Sequence, residues 1–303
     1  MTMQEATLTD RDGVEIFYRR WLPPSDARAV VLVLHGASEH SGRYGGLGEA
    51  LAAVGCAVYA DDHRGFGRTA TSTGFGRSGP RGFDGVLDAI HCVQERAIEE
   101  HGNVPVIVFG HSMGSVFTQV YVQRHAAELA GFVLSGSFGP SPELEGMVVA
   151  LQAGVDAGGG DTPLEGLGPF NDPFEPARTP FDWLSRDEAE VDKYIADPLC
   201  GDGAPLTLGY VNGVIGLLAQ GTDPTRIAAI GAGKPVLLIT GEADPVSGGG
   251  ATVRVLEQSY RDAGLVVTAR YYPDARHELL NELNRDEVLA DVVGWVEAVV
   301  GVS

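Results

Sequence analysis

Gly110-His-Ser-Met-Gly114 places a serine with glycines two residues away on either side, directly after the apolar run Val106–Phe109 and directly before a helical pattern. Ser112 is therefore expected at a strand-to-helix turn, where only small neighbours fit. Its hydroxyl would project over the carboxyl edge of a sheet, at the positive end of a helix dipole. A serine hydroxyl is a weak nucleophile at neutral pH and needs a base. The base should follow the last strand, and of the 8 histidines His277, just past Leu265–Tyr272, does so. The others lie on or near helices, after early strands, or beside the serine. A carboxylate that holds the imidazole tautomer should follow the preceding strand. Asp244 follows Val236–Ile239; Glu242 competes, and Asp244 is preferred because it lies farther past the strand end, beside Pro245. Acyl transfer also needs donors for a developing oxyanion. The backbone N–H groups of Met113 and Ala37 are the candidates, with Gly36 allowing close backbone approach.

These groups need a sheet to hold them. Val14–Trp21 alternates as a half-buried strand, and Asp12-Gly13 signals a hairpin with an earlier strand near Ala6–Thr9. Continuous apolar runs follow at Val30–Leu34, Cys56–Ala60, Val106–Phe109, Phe132–Leu134, Val236–Ile239 and Leu265–Tyr272, as expected of strands buried on both faces. Helical patterns near Leu47–Val54, Val86–Glu100, Ser115–His125, Thr252–Ala263 and Arg285–Val299 separate most of them. The alternation predicts an α/β fold with a mostly parallel sheet flanked by helices.

Between about residues 139 and 230 the strand runs stop. So long a stretch before the last two strands reads as a helical lid or cap, not a plain connection. The predicted organisation is a core of residues 1–138 and 231–303 and a lid of 139–230. Within the lid, Leu144, Met147, Val148, Leu151 and Val155 have helical spacing, and Val211, Val214, Ile215 and Leu218 form another stripe. Ser185-Arg-Asp-Glu188 reads as a capping box, and Gly158–Gly160 as a short flexible joint. The apolar stripes either pack on the core or line a pocket. Met147, Leu151, Phe174, Trp183, Tyr210 and Leu217 are the candidate substrate-binding residues.

Composition narrows the partners. The formal charge is −20, with Lys193 and Lys234 the only lysines, which argues against nucleic acid and against an anionic membrane surface. Cys56, Cys92 and Cys200 are odd in number and far apart, which excludes a disulfide framework and a thiolate zinc site. Met1–Asp10 has no basic-then-apolar leader pattern, and no apolar stretch reaches the ~18 residues of a membrane span. A cytoplasmic protein without a stable membrane anchor is expected, with transient lipid contact through the lid left open.

The order Ser112, Asp244, His277 is that of α/β hydrolases. Together with His35–Tyr44 (His-Gly-Ala-Ser-Glu-His-Ser-Gly-Arg-Tyr), Asp62–Gly67 (Asp-His-Arg-Gly-Phe-Gly), Gly110–Gly114, Gly241–Asp244 and Ala275–Glu278, the chain resembles the monoacylglycerol lipase and lysophospholipase group. The resemblance spans the core on both sides of the insertion. It implies an α/β-hydrolase fold, a triad of Ser112, Asp244 and His277, an oxyanion hole of Ala37 and Met113, no cofactor and no metal. It also implies a lid that receives an acyl chain. Two positions depart from that group: Ser38 stands where glycine is common, and Arg68-Thr69 where a serine is usual.

The expected activity is a serine carboxylic-ester hydrolase acting through an acyl-enzyme on monoacylglycerols, lysophospholipids or other small lipophilic esters. The same triad serves thioesterases, peracid-forming haloperoxidases, C–C hydrolases and peptidases. A peptidase that takes a free α-amine would need lid carboxylates, for which Asp156, Asp161, Glu165, Asp172, Glu175 and Asp182 are candidates. A third reading is a non-catalytic ligand receptor on the same scaffold.

Overall fold

A computed structural model describes residues 2–164 and 169–301. Eight strands form one sheet in the order β1-β2-β4-β3-β5-β6-β7-β8. They are β1 (Thr2–Thr9), β2 (Glu15–Leu22), β3 (Ala29–Leu34), β4 (Cys56–Asp61), β5 (Val106–His111), β6 (Gly131–Ser135), β7 (Pro235–Gly241) and β8 (Val266–Tyr272). β1–β2 and β2–β4 pair antiparallel, and every other neighbouring pair is parallel. The helices are α1 (Gly45–Ala53), α2 (Ala70–Thr73), α3 (Gly82–His101), α4 (Met113–His125), α5 (Leu144–Gly154), α6 (Glu188–Ala196), α7 (Leu208–Gly221), α8 (Pro224–Ala228), α9 (Ala251–Asp262) and α10 (Arg285–Gly301).

Successive strand residues face opposite sides of a sheet. Val30, Leu32 and Leu34 of β3 accordingly join one apolar layer, with α3, α4, α7 and α9. Ala29, Val31 and Val33 join the other, with α1 and α10. Both layers are buried over β3 to β6, which is why those runs carry no polar alternation. The run Leu265–Tyr272, expected to be buried on both faces, is corrected: it forms the edge strand β8, which is only partly covered and carries Thr268 and Arg270. The chain order reverses between β4 and β5, so the ends of β3 and β5 open a crevice at the carboxyl edge. The loops after β3, β5, β7 and β8 carry Ala37, Ser112, Asp244 and His277.

The segment between β6 and β7 holds α5 to α8 and short 3-10 turns. No strand of the sheet comes from its described residues. One local expectation is corrected here. The helix expected to start at the Ser185 capping box is α6, whose cap is Asp187, accepting from the Ala189 N–H. The Ser185 hydroxyl instead donates to the Asn281 carbonyl, so this serine ties the insertion to the loop after His277. Gly158 does interrupt a helix, since its φ of 90° lies in the left-handed region, within a wide turn that continues α5.

Candidate active site

Ser112 has φ 50° and ψ −118°, a conformation that a non-glycine residue holds only when its surroundings impose it. Here the flanking glycines impose it. A Cβ on Gly114 would collide with the Leu34 carbonyl, and one on Gly110 with the Thr118 hydroxyl. β3, β5 and α4 thus meet at van der Waals contact beneath the serine. The Ser112 N–H donates to the Ser135 carbonyl at 2.9 Å, which fastens the turn to β6. Ser112 caps α4, so its hydroxyl stands where a helix dipole favours negative charge.

Asp244 and His277 come together across 33 residues of sequence. His277 Nδ1 lies 3.1 Å from Asp244 Oδ1, with the side chains 2% and 0% exposed. The same oxygen accepts the Val246 N–H at 2.9 Å, while Oδ2 is buried without a partner among the described residues. Burial pushes the His277 pKa down. The charge and hydrogen bond of Asp244 outweigh it, helped by Glu278 and Glu39, and the net shift is upward from 6.5. Glu242, the competing acid, pairs instead with Arg254 at 3.0 Å and is partly exposed. His111 packs beside His277 at 4.9 Å between rings; burial first, then His277, hold its pKa near 4, so it stays neutral.

The loop after β3 is fixed by a buried ionic group. Glu39 accepts the Gly36 N–H and the Tyr44 hydroxyl. Arg43 bonds Glu39 at 2.7 Å and makes a two-pronged contact with Glu278. Burial alone would raise the Glu39 pKa, but Arg43, then His111 and His35, bring it down to about 2. One guanidinium therefore ties the candidate oxyanion loop to the residue after His277. His35 completes the turn: its Nδ1 lies 2.7 Å from the Gly36 carbonyl and its Nε2 accepts the His63 N–H. These three charged residues lay within quoted motifs, yet the sequence assigned them no role. The signal was the pairing of two acids and one arginine inside runs that are otherwise buried.

Ser112, Met113 and Ala37 line the same cavity, of about 430 Å³. Its wall is apolar. α7 supplies Val211, Val214 and Ile215, α5 supplies Met147, and Trp183, Phe170 and Leu164 come from the turns between. Two of the six lid candidates, Met147 and Trp183, therefore face the cavity. The other four do not line it. Tyr210 is buried in the core and donates to the Arg64 carbonyl at 3.0 Å. Leu217, one α-helical heptad on from Tyr210, turns to the same core face. The face a third of a turn round, at 211, 214 and 215, is the one open to the cavity. Leu151 packs on the core layer, and Phe174 lies under the Arg276 guanidinium at 4.1 Å. No acidic side chain among the described residues lines the cavity. Asp161 pairs with Arg77 and Asp182 with the Thr179 hydroxyl, while Asp156 accepts from Gln152; Glu165 lies outside the described residues.

The described clusters of potential metal ligands sit apart from this cavity. His40, Asp197 and Cys200 form one; both imidazole nitrogens of His40 already have partners, Gly42 N–H and Asp197. His91, His125 and Glu128 form the other, where the two rings stack at 4.2 Å and the Nδ1 atoms already have partners, the Tyr121 hydroxyl for His91 and Glu128 for His125.

Known proteins place the chain. The model of the family described as "Serine aminopeptidase, S33" matches residues 25–284. A monoacylglycerol lipase of Mycolicibacterium smegmatis is 35% identical over 303 residues, covering 97% of both chains. The human monoglyceride lipase is 28% identical over 293 residues, covering 95% of this chain and 89% of that protein. A thermostable carboxyl esterase from Bacillus coagulans, solved with glycerol, superimposes with a TM-score of 0.91 at 27% identity, covering 99% of each chain. The chain belongs to the α/β-hydrolase superfamily, within its monoacylglycerol lipase-like group of carboxylic ester hydrolases.

Proposed function

We propose that Ser112, His277 and Asp244 hydrolyse neutral lipophilic esters of the monoacylglycerol type through an acyl-enzyme, with 139–230 acting as the lid. The observation that carries this reading is an uncharged, apolar cavity with the candidate nucleophile and both candidate oxyanion donors in its wall. In this mechanism Ser112 Oγ attacks the ester carbonyl as His277 Nε2 takes its proton. The Ala37 and Met113 N–H groups hold the oxyanion. The alcohol leaves with the proton from His277, and a water activated by the same imidazole then releases the acid. Asp244 holds Nδ1–H, so that Nε2 is the nitrogen free to act as base. The described cavity wall has no carboxylate for a substrate α-amine and no cation for a phosphate, which favours neutral esters over peptides and lysophospholipids.

A p-nitrophenyl ester series from acetyl to palmitoyl, with monoacylglycerol alongside, tests this. Each buried methylene is worth about 0.8 kcal/mol, so kcat/KM should rise by up to about fourfold per added methylene until the cavity is full. A maximum at acetyl would overturn the acyl-pocket reading and leave a small-ester hydrolase. The pH profile gives a second check. The reactive form is neutral His277, so an upward pKa means that activity disappears at a higher pH than an unperturbed histidine would give. The acid limb of kcat/KM should have its inflection above 6.5. Asp244→Asn should lower kcat by about 10⁴-fold and move that inflection down. An unmoved inflection would remove Asp244 from the mechanism.

A further inference from the structure

The Ser38 carbonyl, one residue past the candidate oxyanion donor Ala37, is gripped by the inserted segment. The Tyr194 hydroxyl of α6 donates to it at 3.0 Å, and the Gly201 N–H at 2.9 Å. On the other side of Ala37, the Gly36 N–H is held by the Glu39 carboxylate. The donor peptide thus lies between two fixed points, one supplied by the core and one by the insertion. Ser38 itself has φ 53° and is buried, in a conformation that a residue with a Cβ avoids unless its neighbours enforce it. The enforcing bonds are those from Tyr194 and Gly201. Tyr194 is well placed to keep them. It is buried, which raises its phenol pKa well above 10 and keeps the donor proton on. Its ring is packed against Phe181 at 5.2 Å and under the Arg43 guanidinium at 4.8 Å.

We infer that Tyr194 is a positioning residue: through the Ser38 carbonyl it holds the Ala37 N–H where the transition-state oxyanion forms, coupling the insertion to the oxyanion hole. The inference rests on the ester-hydrolase reading above. It touches the rate of the chemical step and not ground-state binding, because Tyr194 is not among the residues that line the cavity.

The test is Tyr194→Phe, which deletes the hydroxyl and keeps the ring. Rates on p-nitrophenyl octanoate are normalised to sites titrated with a fluorophosphonate, so a partly folded preparation still reports. The expected result is a fall in kcat of about tenfold with KM within twofold. A trifluoromethyl ketone, whose hemiketal oxygen occupies the oxyanion hole, should bind about tenfold more weakly, while a long-chain alcohol binds as before. Tyr194→Leu, which also lacks the hydroxyl but packs differently, should show the same split. An unchanged kcat, a rise in KM alone, or equal weakening of ketone and alcohol would each overturn the clamp. Ser112→Ala run in parallel separates the two failures: activity surviving in that variant sinks the triad, whatever Tyr194 does.

Discussion

Replacing Ser112 by alanine should lower kcat/KM on a medium-chain p-nitrophenyl ester by on the order of 10⁵-fold or more, the scale seen when a member of such a triad is removed. The argument is local. Ser112 Oγ is the one nucleophilic side-chain atom in the described wall of the cavity. Without it no acyl-enzyme can form, and the remaining rate comes from binding and the oxyanion donors, worth roughly 10³–10⁴ over water. Alanine occupies the same backbone conformation, φ 50°, with the same Cβ, so the melting temperature should move by no more than a degree or two. A variant that keeps a tenth of the wild-type rate would rule out Ser112 as the nucleophile. The acyl-enzyme is separately visible as a mass adduct on the peptide containing Ser112 after a quench at short times.

The second large effect is on stability. Arg43→Met should destabilise the fold by about 3–5 kcal/mol, because it leaves the Glu39 and Glu278 carboxylates buried without their cation. Their side chains are 4% and 6% exposed, and Arg43 is 11% exposed, so water cannot take over its role. For a chain of this size that corresponds to a fall in melting temperature of roughly 6–10 °C. Glu39 and Glu278 should each titrate upward in the variant, since in the native protein Arg43 opposes the effect of burial and holds both below the ordinary glutamate value. Stability should therefore recover in part when the acids are also made neutral, in Arg43→Met with Glu39→Gln and Glu278→Gln. The decisive result is thermal unfolding of the two variants side by side. If the triple variant melts no higher than Arg43→Met, the loss comes from packing around the Arg43 stem and not from unpaired charge. Activity should fall with the pair intact or not, because the same residues hold Gly36 and the loop of His277.

The strands, most helices and the positions of Ser112, Asp244 and His277 at strand ends follow from short-range pattern. A strand buried on both faces must be an unbroken apolar run, and a strand-to-helix turn this tight admits only glycine two residues to either side of the serine, so both leave marks within a few residues. The capping box at Ser185 shows where that reasoning stops. The serine had the right spacing, but its hydroxyl found the Asn281 carbonyl, 96 residues away, and Asp187 took the cap.

The cavity wall depended on the same kind of distant choice. α7 is apolar on several faces, so its sequence allowed Leu217 or Val214 to face a ligand. Only the packing of α7 against α4 and α5 decided that Tyr210 and Leu217 turn inward and Val211, Val214 and Ile215 turn to the cavity. Arg43 and Glu278 meet across 235 residues of chain, and the Tyr194 hydroxyl reaches Ser38 across 156. The sequence by itself determined the sheet, the tight turn at Ser112 and the placing of Asp244 and His277 just past strand ends, because steric and hydrophobic constraints act along neighbouring residues. Tertiary structure alone decided the pocket surface, the buried ion group and the grip of Tyr194 on the Ser38 carbonyl, because each depends on which side chains long-range packing brings to the same small volume.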